Sequence, residues 1–292
     1  MADSVQFLIS GLTIGSIYAI VALGFVTIYS VTKVINLAQG EFVMLGGMIM
    51  FSLLKLGIPY LIAFLTTIAI VIMIGWLLER TIVRKAKGAD ALSLIILTIG
   101  AAIFIRGIAS MVWGKGSVKV DSFASNEPVY VMGATITPQS IWVMVFMLAI
   151  VAGLFLLIEK TMLGKAFRAC SVNPVAARLM AVSPKKMSSF SFALSAGLGA
   201  LAGLVIAPII FPAYDMGVML GIKGFSATIL GGLGSAPGAV LGGLLLGVIE
   251  SLGAGFISSG MKDAIAFGFV LMLLLIRPYG LLGEKNVGKG GL

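Results

Sequence analysis

The sequence predicts an all-α polytopic membrane protein with about eight to nine transmembrane helices, some of them short or broken. Three observations lead there. The first is composition: hydrophobic residues make up 60% of the 292 residues and glycine adds 38 more, where soluble domains hold about 45–50% on a comparable count. Charged residues are 11%, against about 25% in soluble domains. The second is pattern: the apolar residues fall in runs close to the ~20 residues that cross a bilayer. The third is charge placement: Lys and Arg collect in the gaps between alternate pairs of runs, as the positive-inside rule requires. A water-soluble domain of this size could not hide so much apolar surface, because much of any folded surface still meets water.

The runs cover residues 5–30, 41–56, 60–79, 91–113, 139–158, 187–211, 222–232, 238–256 and 263–276. The first has no basic residue before it and is too long for a cleavable signal, so it reads as a permanent span. The second and seventh are short. They are expected to be broken or re-entrant, which is tolerable only where protein covers the freed backbone. The gap 114–138 is the longest on its side, and its Val118-Lys-Val, Pro128-Val-Tyr-Val and Thr135-Ile-Thr segments suggest small strands or a cap. Gly231-Gly-Leu-Gly-Ser-Ala-Pro-Gly238 is expected to break or turn the chain between two membrane segments. The gap 159–187 reads as helix, turn, short helix, turn, helix, because Asn173-Pro174 and Ser183-Pro184 each pair a good N-cap with a proline suited to the first helical position. Residues 1–283 form one membrane domain, and the Gly- and Lys-rich tail 284–292 is expected to be flexible.

Charge fixes the expected threading. Fourteen Lys and Arg lie in one set of alternate gaps, namely Lys33, Arg80, Arg84, Lys85, Lys87, Lys160, Lys165, Arg168, Arg178, Lys185, Lys186, Arg277, Lys285 and Lys289. The opposite set holds five: Lys55, Lys115, Lys119, Lys223 and Lys262. The richer side is expected in the cytoplasm, with the N-terminus outside and the C-terminus inside.

Several functions are excluded. The net charge of +9 is spread through short gaps rather than a groove interleaved with aromatics, so nucleic acid is not an expected partner. The chain has no histidine and one cysteine, Cys170. That removes His-based triads and the commonest metal ligand. Neither Gly114-Lys-Gly nor the glycine-rich stretch 231–238 matches a phosphate loop. No cofactor is expected on this chain. Gly11/Gly15, Gly199/Gly203, Gly238/Gly242 and Gly243/Gly247 have the small-xxx-small spacing that lets helices approach closely in lipid.

The gap 159–187 carries a basic amphipathic pattern. On spacing alone it fits either a helix docked in a partner's groove or one lying on anionic membrane lipid. Gly164-Lys-Ala-Phe-Arg-Ala169, Asn173 and Ala176-Ala-Arg-Leu179 resemble the cytoplasmic coupling segment of branched-chain amino acid ABC transporter permeases of the LivH type. Asn36-Leu-Ala-Gln-Gly-Glu-Phe42, Leu78-Glu-Arg80, Thr98-Ile-Gly100, Gly221-Ile-Lys-Gly-Phe225, Leu230-Gly-Gly-Leu-Gly-Ser235 and Arg277-Pro-Tyr-Gly-Leu281 are similar to further motifs of that family, in the same order. The family often has Ala where this chain has Gly224.

The resemblance implies an ABC-importer permease fold with inverted halves. It implies a second related permease, two ABC ATPase subunits that use the ATP, and a periplasmic or extracellular substrate-binding protein. The site would be the inner membrane of a bacterium. The ATPase-coupling residues would be Gly164, Lys165, Arg168, Ala169, Asn173, Ala176, Ala177 and Arg178. Urea or short amides carried by the same family, and a stand-alone ion-coupled carrier, are the alternatives to branched-chain or other hydrophobic amino acids.

Ionisable groups within apolar runs are costly and usually have a reason. Asn36, Gln39 and Glu41 are expected either near the translocation pathway or its gate, or as a cap at the interface. Arg106 and Glu250 lie deeper, where pairing with each other or with Glu41 and contact with substrate are both open. Asp215, Lys223, Lys262 and Asp263 are expected outside, as ordinary surface charge or a docking site for the binding protein.

Overall fold

The computed structural model describes residues 2–86, 90–124, 127–131 and 133–283. Lys87 of the topology count and the tail 284–292, with Lys285 and Lys289, lie outside them. Eleven α-helices account for nearly all the regular structure described: α1 (Ala2–Thr32), α2 (Gln39–Lys55), α3 (Tyr60–Leu78), α4 (Ala91–Trp113), α5 (Pro138–Lys160), α6 (Met162–Val172), α7 (Pro174–Leu179), α8 (Pro184–Ile210), α9 (Met216–Gly231), α10 (Ala236–Phe256) and α11 (Lys262–Ile276). A π-helical turn, Glu79–Val83, prolongs α3. Seven helices among the described residues are long and apolar enough to span a membrane, those built on α1, α3, α4, α5, α8, α10 and α11. The two short apolar runs become α2 and α9, with 17 and 16 residues.

The short helices arise in the same way. α1 ends at Thr32, and Lys33 then turns the chain with a φ of 56°. A non-helical stretch leads back into the protein before α2 begins. α8 ends at Ile210, Phe211 turns with a φ of 49°, and a second non-helical stretch leads to α9. Positive φ is uncommon for non-glycine residues, yet each of these two units, a long helix followed by a half-length one, turns on such a residue. The units run in opposite directions. α2 lies parallel to α8, with Phe42 on Gly199, Val43 on Gly203 and Gly47 near Ala207. α9 lies parallel to α1, with Gly224 on Val21 and, just past the end of α9, Gly234 near Tyr29. This is the inverted-halves architecture the sequence resemblance implied. The two half-length helices meet inside the bundle, where a Cβ on Gly40 would fall 1.9 Å from the Gly217 carbonyl oxygen.

α1 is the central post. Within its apolar window 89% of residues are buried, against 17% for α4 and for α5 and 11% for the span built on α11. Its main partner is α10, which runs antiparallel, and the predicted glycine pairs make the contact. Gly11 faces Gly247 and Val248, Gly15 faces Gly243, and a Cβ on Gly247 would sit 2.3 Å from the Gly15 Cα and N. In lipid, helix association rests on such close packing rather than on a hydrophobic drive. Gly247→Ala is therefore expected to cost about 1–3 kcal/mol through overpacking against backbone. Gly107→Ala, in open space on α4, should be neutral or slightly stabilising. Thermal unfolding in detergent checks both, and equal midpoints for the two variants would refute the packing argument.

Among the described residues of the gap 114–138 there is one hairpin, β1 (Val129–Val131) antiparallel to β2 (Ala134–Ile136). Gln6 holds it against the start of α1 by accepting from the Thr135 N–H (2.7 Å) and donating to its carbonyl (3.0 Å). Val118-Lys-Val does not form a strand. Val118 N–H instead donates to the Pro212 carbonyl (2.8 Å), and Val120 is buried in a cluster with Met50, Ala63, Leu204 and Ala207. The loop thus covers the break between α8 and α9.

The glycine-rich stretch 231–238 breaks the chain as expected, with α9 ending at Gly231 and α10 starting at Ala236. Carbonyls left free at a helix end need partners. Two are supplied by the C-terminal motif: Leu281 and Leu282 N–H donate to the Leu230 and Gly231 carbonyls, both at 2.9 Å.

Candidate functional site

Two places carry all but one of the sequence-predicted residues, and Glu250 lies in a third. The first is the segment from α5 to α8. α5 stops at Lys160 because Thr161 turns extended and caps α6, its Oγ1 accepting from the Gly164 N–H (3.0 Å). Gly164 packs so tightly that a Cβ would stand 2.3 Å from the Ile158 and Leu157 carbonyls. Asn173 caps α7, its Oδ1 accepting from the N–H groups of Val175 (2.9 Å) and Ala176 (3.0 Å), with Pro174 at the first helical position. Ser183 occupies the matching position before α8, but its side chain makes no capping bond, and Pro184 alone sets that start.

α7 has two unlike faces. Ala177 is buried in an apolar cluster with Phe167, Cys170 and Met187. Val175, Leu179 and Met180 are exposed, Leu179 at 84%. Lys165, Arg168, Ala169, Asn173, Ala176 and Arg178 are exposed as well, and Arg168 is ion-paired with Glu159. The eight residues assigned to coupling therefore divide. Gly164 and Ala177 face the protein and shape the segment; the other six lie on its outer surface. The sequence reading passed over Leu179 as a contact residue, although its place two residues after a buried alanine on a helix turns it outward.

Glu79 braces this segment from the π-helical turn that follows α3. Its carboxylate accepts from Ser188 Oγ (3.0 Å) and Ser189 Oγ (2.6 Å) and pairs with Arg84 Nη2 (2.9 Å). Glu79 is 2% exposed, so the π-helical turn is tied to the foot of α8 just beyond α7.

The second place is the interior around the start of α2. Gln39 lies beside Gly24, about 12 Å from the end of α1 at 1.5 Å per residue. It is fully buried, donating to the Ser195 carbonyl (3.1 Å), with Ser195 Oγ at 2.5 Å from its Oε1. Asn36 Oδ1 accepts from the Ala38 N–H (3.2 Å), and the Leu37 N–H donates to Thr98 Oγ1 (3.2 Å). These groups satisfy the backbone where it leaves regular structure inside the protein.

Glu41 opens α2 and forms an ion pair with Arg106 of α4, Oε1 to Nε 3.4 Å. The pairing left open by the sequence is thus Arg106 with Glu41. Glu250 belongs to a separate cluster. Lys223 Nζ lies 2.6 Å from Glu250 Oε1 and 2.6 Å from Asp263 Oδ1, Tyr18 OH donates to Glu250 Oε2 (2.8 Å), and Lys262 is 3.9 Å away. The expectation that Lys223 is a surface charge is corrected: only 4% of its side chain is exposed. It stands on the short α9, which begins inside the bundle, and its ammonium is enclosed by Glu250 of α10 and Asp263 of α11.

A multi-pass helical bundle with two broken half-helices, a capped short helix projecting from one end and ion pairs within its spans is the form of a membrane permease subunit. Its sequence relationships agree. Residues 7–276 match the family described as branched-chain amino acid transport system / permease component, and the chain belongs to that family. It is 33% identical to the high-affinity branched-chain amino acid transport system permease protein BraD of Pseudomonas aeruginosa, over 97% of each chain. It is also 33% identical to LivH of Escherichia coli (strain K12), over 97% of each chain. A probable branched-chain amino acid transport permease protein LivH of Methanocaldococcus jannaschii is 32% identical over 92% of this chain and 89% of its own. No solved structure matches the chain. The protein is a transport permease, not an enzyme, and one component of a transport system.

Proposed function

We propose that the chain forms half of the translocation pathway of an ATP-driven importer for branched-chain or other hydrophobic amino acids. It would pair with a second related permease. Two ATPase subunits would dock beneath it and hydrolyse the ATP, and a soluble binding protein would deliver substrate from outside. The imbalance of basic residues supports placing α6 and α7 in the cytoplasm and the β1–β2 hairpin outside, in a bacterial inner membrane.

The observation that carries the reading is the outer face of α7. Val175 and Leu179, with Met180 just past the end of α7, present apolar side chains on a helix fixed at its start by Asn173 and at its back by Ala177. A short rigid helix with an exposed apolar face suits a groove on another protein. A docked helix so braced can pass a movement of the ATPases to α8 and the broken helices behind it.

The test is reconstitution. Proteoliposomes containing this chain alone should not accumulate leucine. Those containing both permeases, both ATPases and the binding protein should do so only with ATP. ATP-independent accumulation by the single chain would favour a stand-alone carrier and overturn the reading.

A further inference from the structure

A groove of about 650 Å³ runs between α1, α5, α6 and α10. Sites of roughly 300–1,000 Å³ hold small organic ligands. Buried side chains of α1, among them Leu23 and Val26, form its floor, and α5 and α10 form its walls. Phe155 is 60% exposed and Leu241 45%, so the groove opens to the outside of the bundle. It follows α1 from Leu23 to Ser30 and α5 from Val151 to Glu159, about 10 and 12 Å at 1.5 Å per residue. That is most of one leaflet's hydrocarbon, about 15 Å, half of the ~30 Å core.

The groove has one polar end. The hydroxyls along it are engaged by their own helices: Thr27 donates to the Leu23 carbonyl (2.7 Å), Ser30 to that of Val26 (2.7 Å) and Ser171 to that of Arg168 (2.8 Å). The charged groups are Glu159 and Arg168, paired with each other at the foot of α5. A second hollow of about 350 Å³ shares these two residues and adds Lys165. Lys165 is exposed and makes no ion pair among the described residues. The mouth thus sets two cations against one anion, below an apolar channel.

A transported amino acid carries two opposite charges, and the apolar length of this groove has no partner for either. Its shape suits an amphiphile with one anionic head and a hydrocarbon tail. Basic pockets between spans on the cytoplasmic side take anionic lipid head groups. We propose that the groove holds an acyl chain of an anionic phospholipid of the cytoplasmic leaflet, with the phosphate on Lys165 and Arg168. Arg168 serves Glu159 and the phosphate together, since a guanidinium has five N–H donors. The leaflet rests on the reading above that places α6 in the cytoplasm. The lipid joins α6, which leads into α7, to α1, α5 and α10.

The experiment is photocrosslinking in nanodiscs that contain the full complex. The probes are phosphatidylglycerol and phosphatidylcholine, each with a diazirine in the acyl chain. Phosphatidylglycerol is expected to label peptides containing Phe155 and Leu241 about fivefold more than phosphatidylcholine does. Lys165→Gln should remove about fivefold of the phosphatidylglycerol labelling, the worth of one cation near anionic lipid, and leave phosphatidylcholine unchanged. Leu241→Trp should fill the groove and lower labelling of Phe155 by both lipids. Both substitutions fall on exposed side chains, so the fold should survive. Equal labelling by the two lipids, no effect of either substitution, or no labelling at Phe155 and Leu241 would each overturn the proposal. Labelling of the chain alone that disappears in the full complex would show a partner subunit in the groove and overturn it too. ATP-driven leucine uptake in the proteoliposomes tests the importer reading separately and stands whatever the labelling shows.

Discussion

Leu179→Asp is expected to reduce ATP-driven uptake by about thirtyfold or more without disturbing the folded permease. Leu179 is 84% exposed and lies on the free face of α7, so the folded chain should change by no more than about 0.5 kcal/mol. The docked complex should suffer more. Truncating an apolar anchor at the centre of an interface costs about 2 kcal/mol or more, and a carboxylate in its place adds desolvation. ATPase activity should persist while uptake falls, since the motor would turn over without gripping the channel.

Ala177→Asp should behave differently. That side chain points into the Phe167, Cys170 and Met187 cluster, where an unpaired charge has no partner. It should loosen the whole segment and lower the yield of folded protein. Co-purification of the ATPases with each variant, together with uptake and melting temperature, separates the two effects. Normal uptake and full retention of the ATPases by Leu179→Asp would rule out α7 as the docking helix.

The second large effect concerns stability. Lys223→Met is expected to cost about 3 kcal/mol, the lower part of the range for breaking a buried ion pair by removing one partner. Lys223 lies 2.6 Å from both Glu250 and Asp263, so its loss leaves two carboxylates facing each other between α9, α10 and α11. Lys262 is 3.9 Å from Glu250 and half in solvent, which softens the loss. Adding Glu250→Leu should recover part of the stability, because a buried pair replaced by apolar residues is often neutral. Tyr18, which donates to Glu250, limits that recovery by losing its acceptor. Thermal unfolding of the two single variants and the double variant forms the required cycle. A Lys223→Met protein that melts with the wild type would show that the cluster contributes nothing.

The sequence by itself determined much of what depends on neighbours along the chain. The helical class follows from runs of apolar residues near the membrane thickness. Asn173-Pro174 signalled the start of α7 because a cap acts over two or three residues, and the observed bonds to Val175 and Ala176 are of that kind. The glycine spacings marked real interfaces, since residues four apart share a helix face.

What the tertiary structure decided is which surface each helix presents and to whom. The windows of α1 and of the span built on α11 have similar mean hydropathy, 2.0 and 1.8, yet 89% of the first is buried and 11% of the second. In a membrane both lipid and protein interior are apolar, so hydrophobicity alone cannot tell a central post from a peripheral helix. Local sequence likewise does not show what encloses a side chain, so Lys223 looked like a loop residue. Its true place depends on α9 being one of two half-helices that meet deep inside the bundle, a contact between Gly40 and Gly217 that no local pattern encodes.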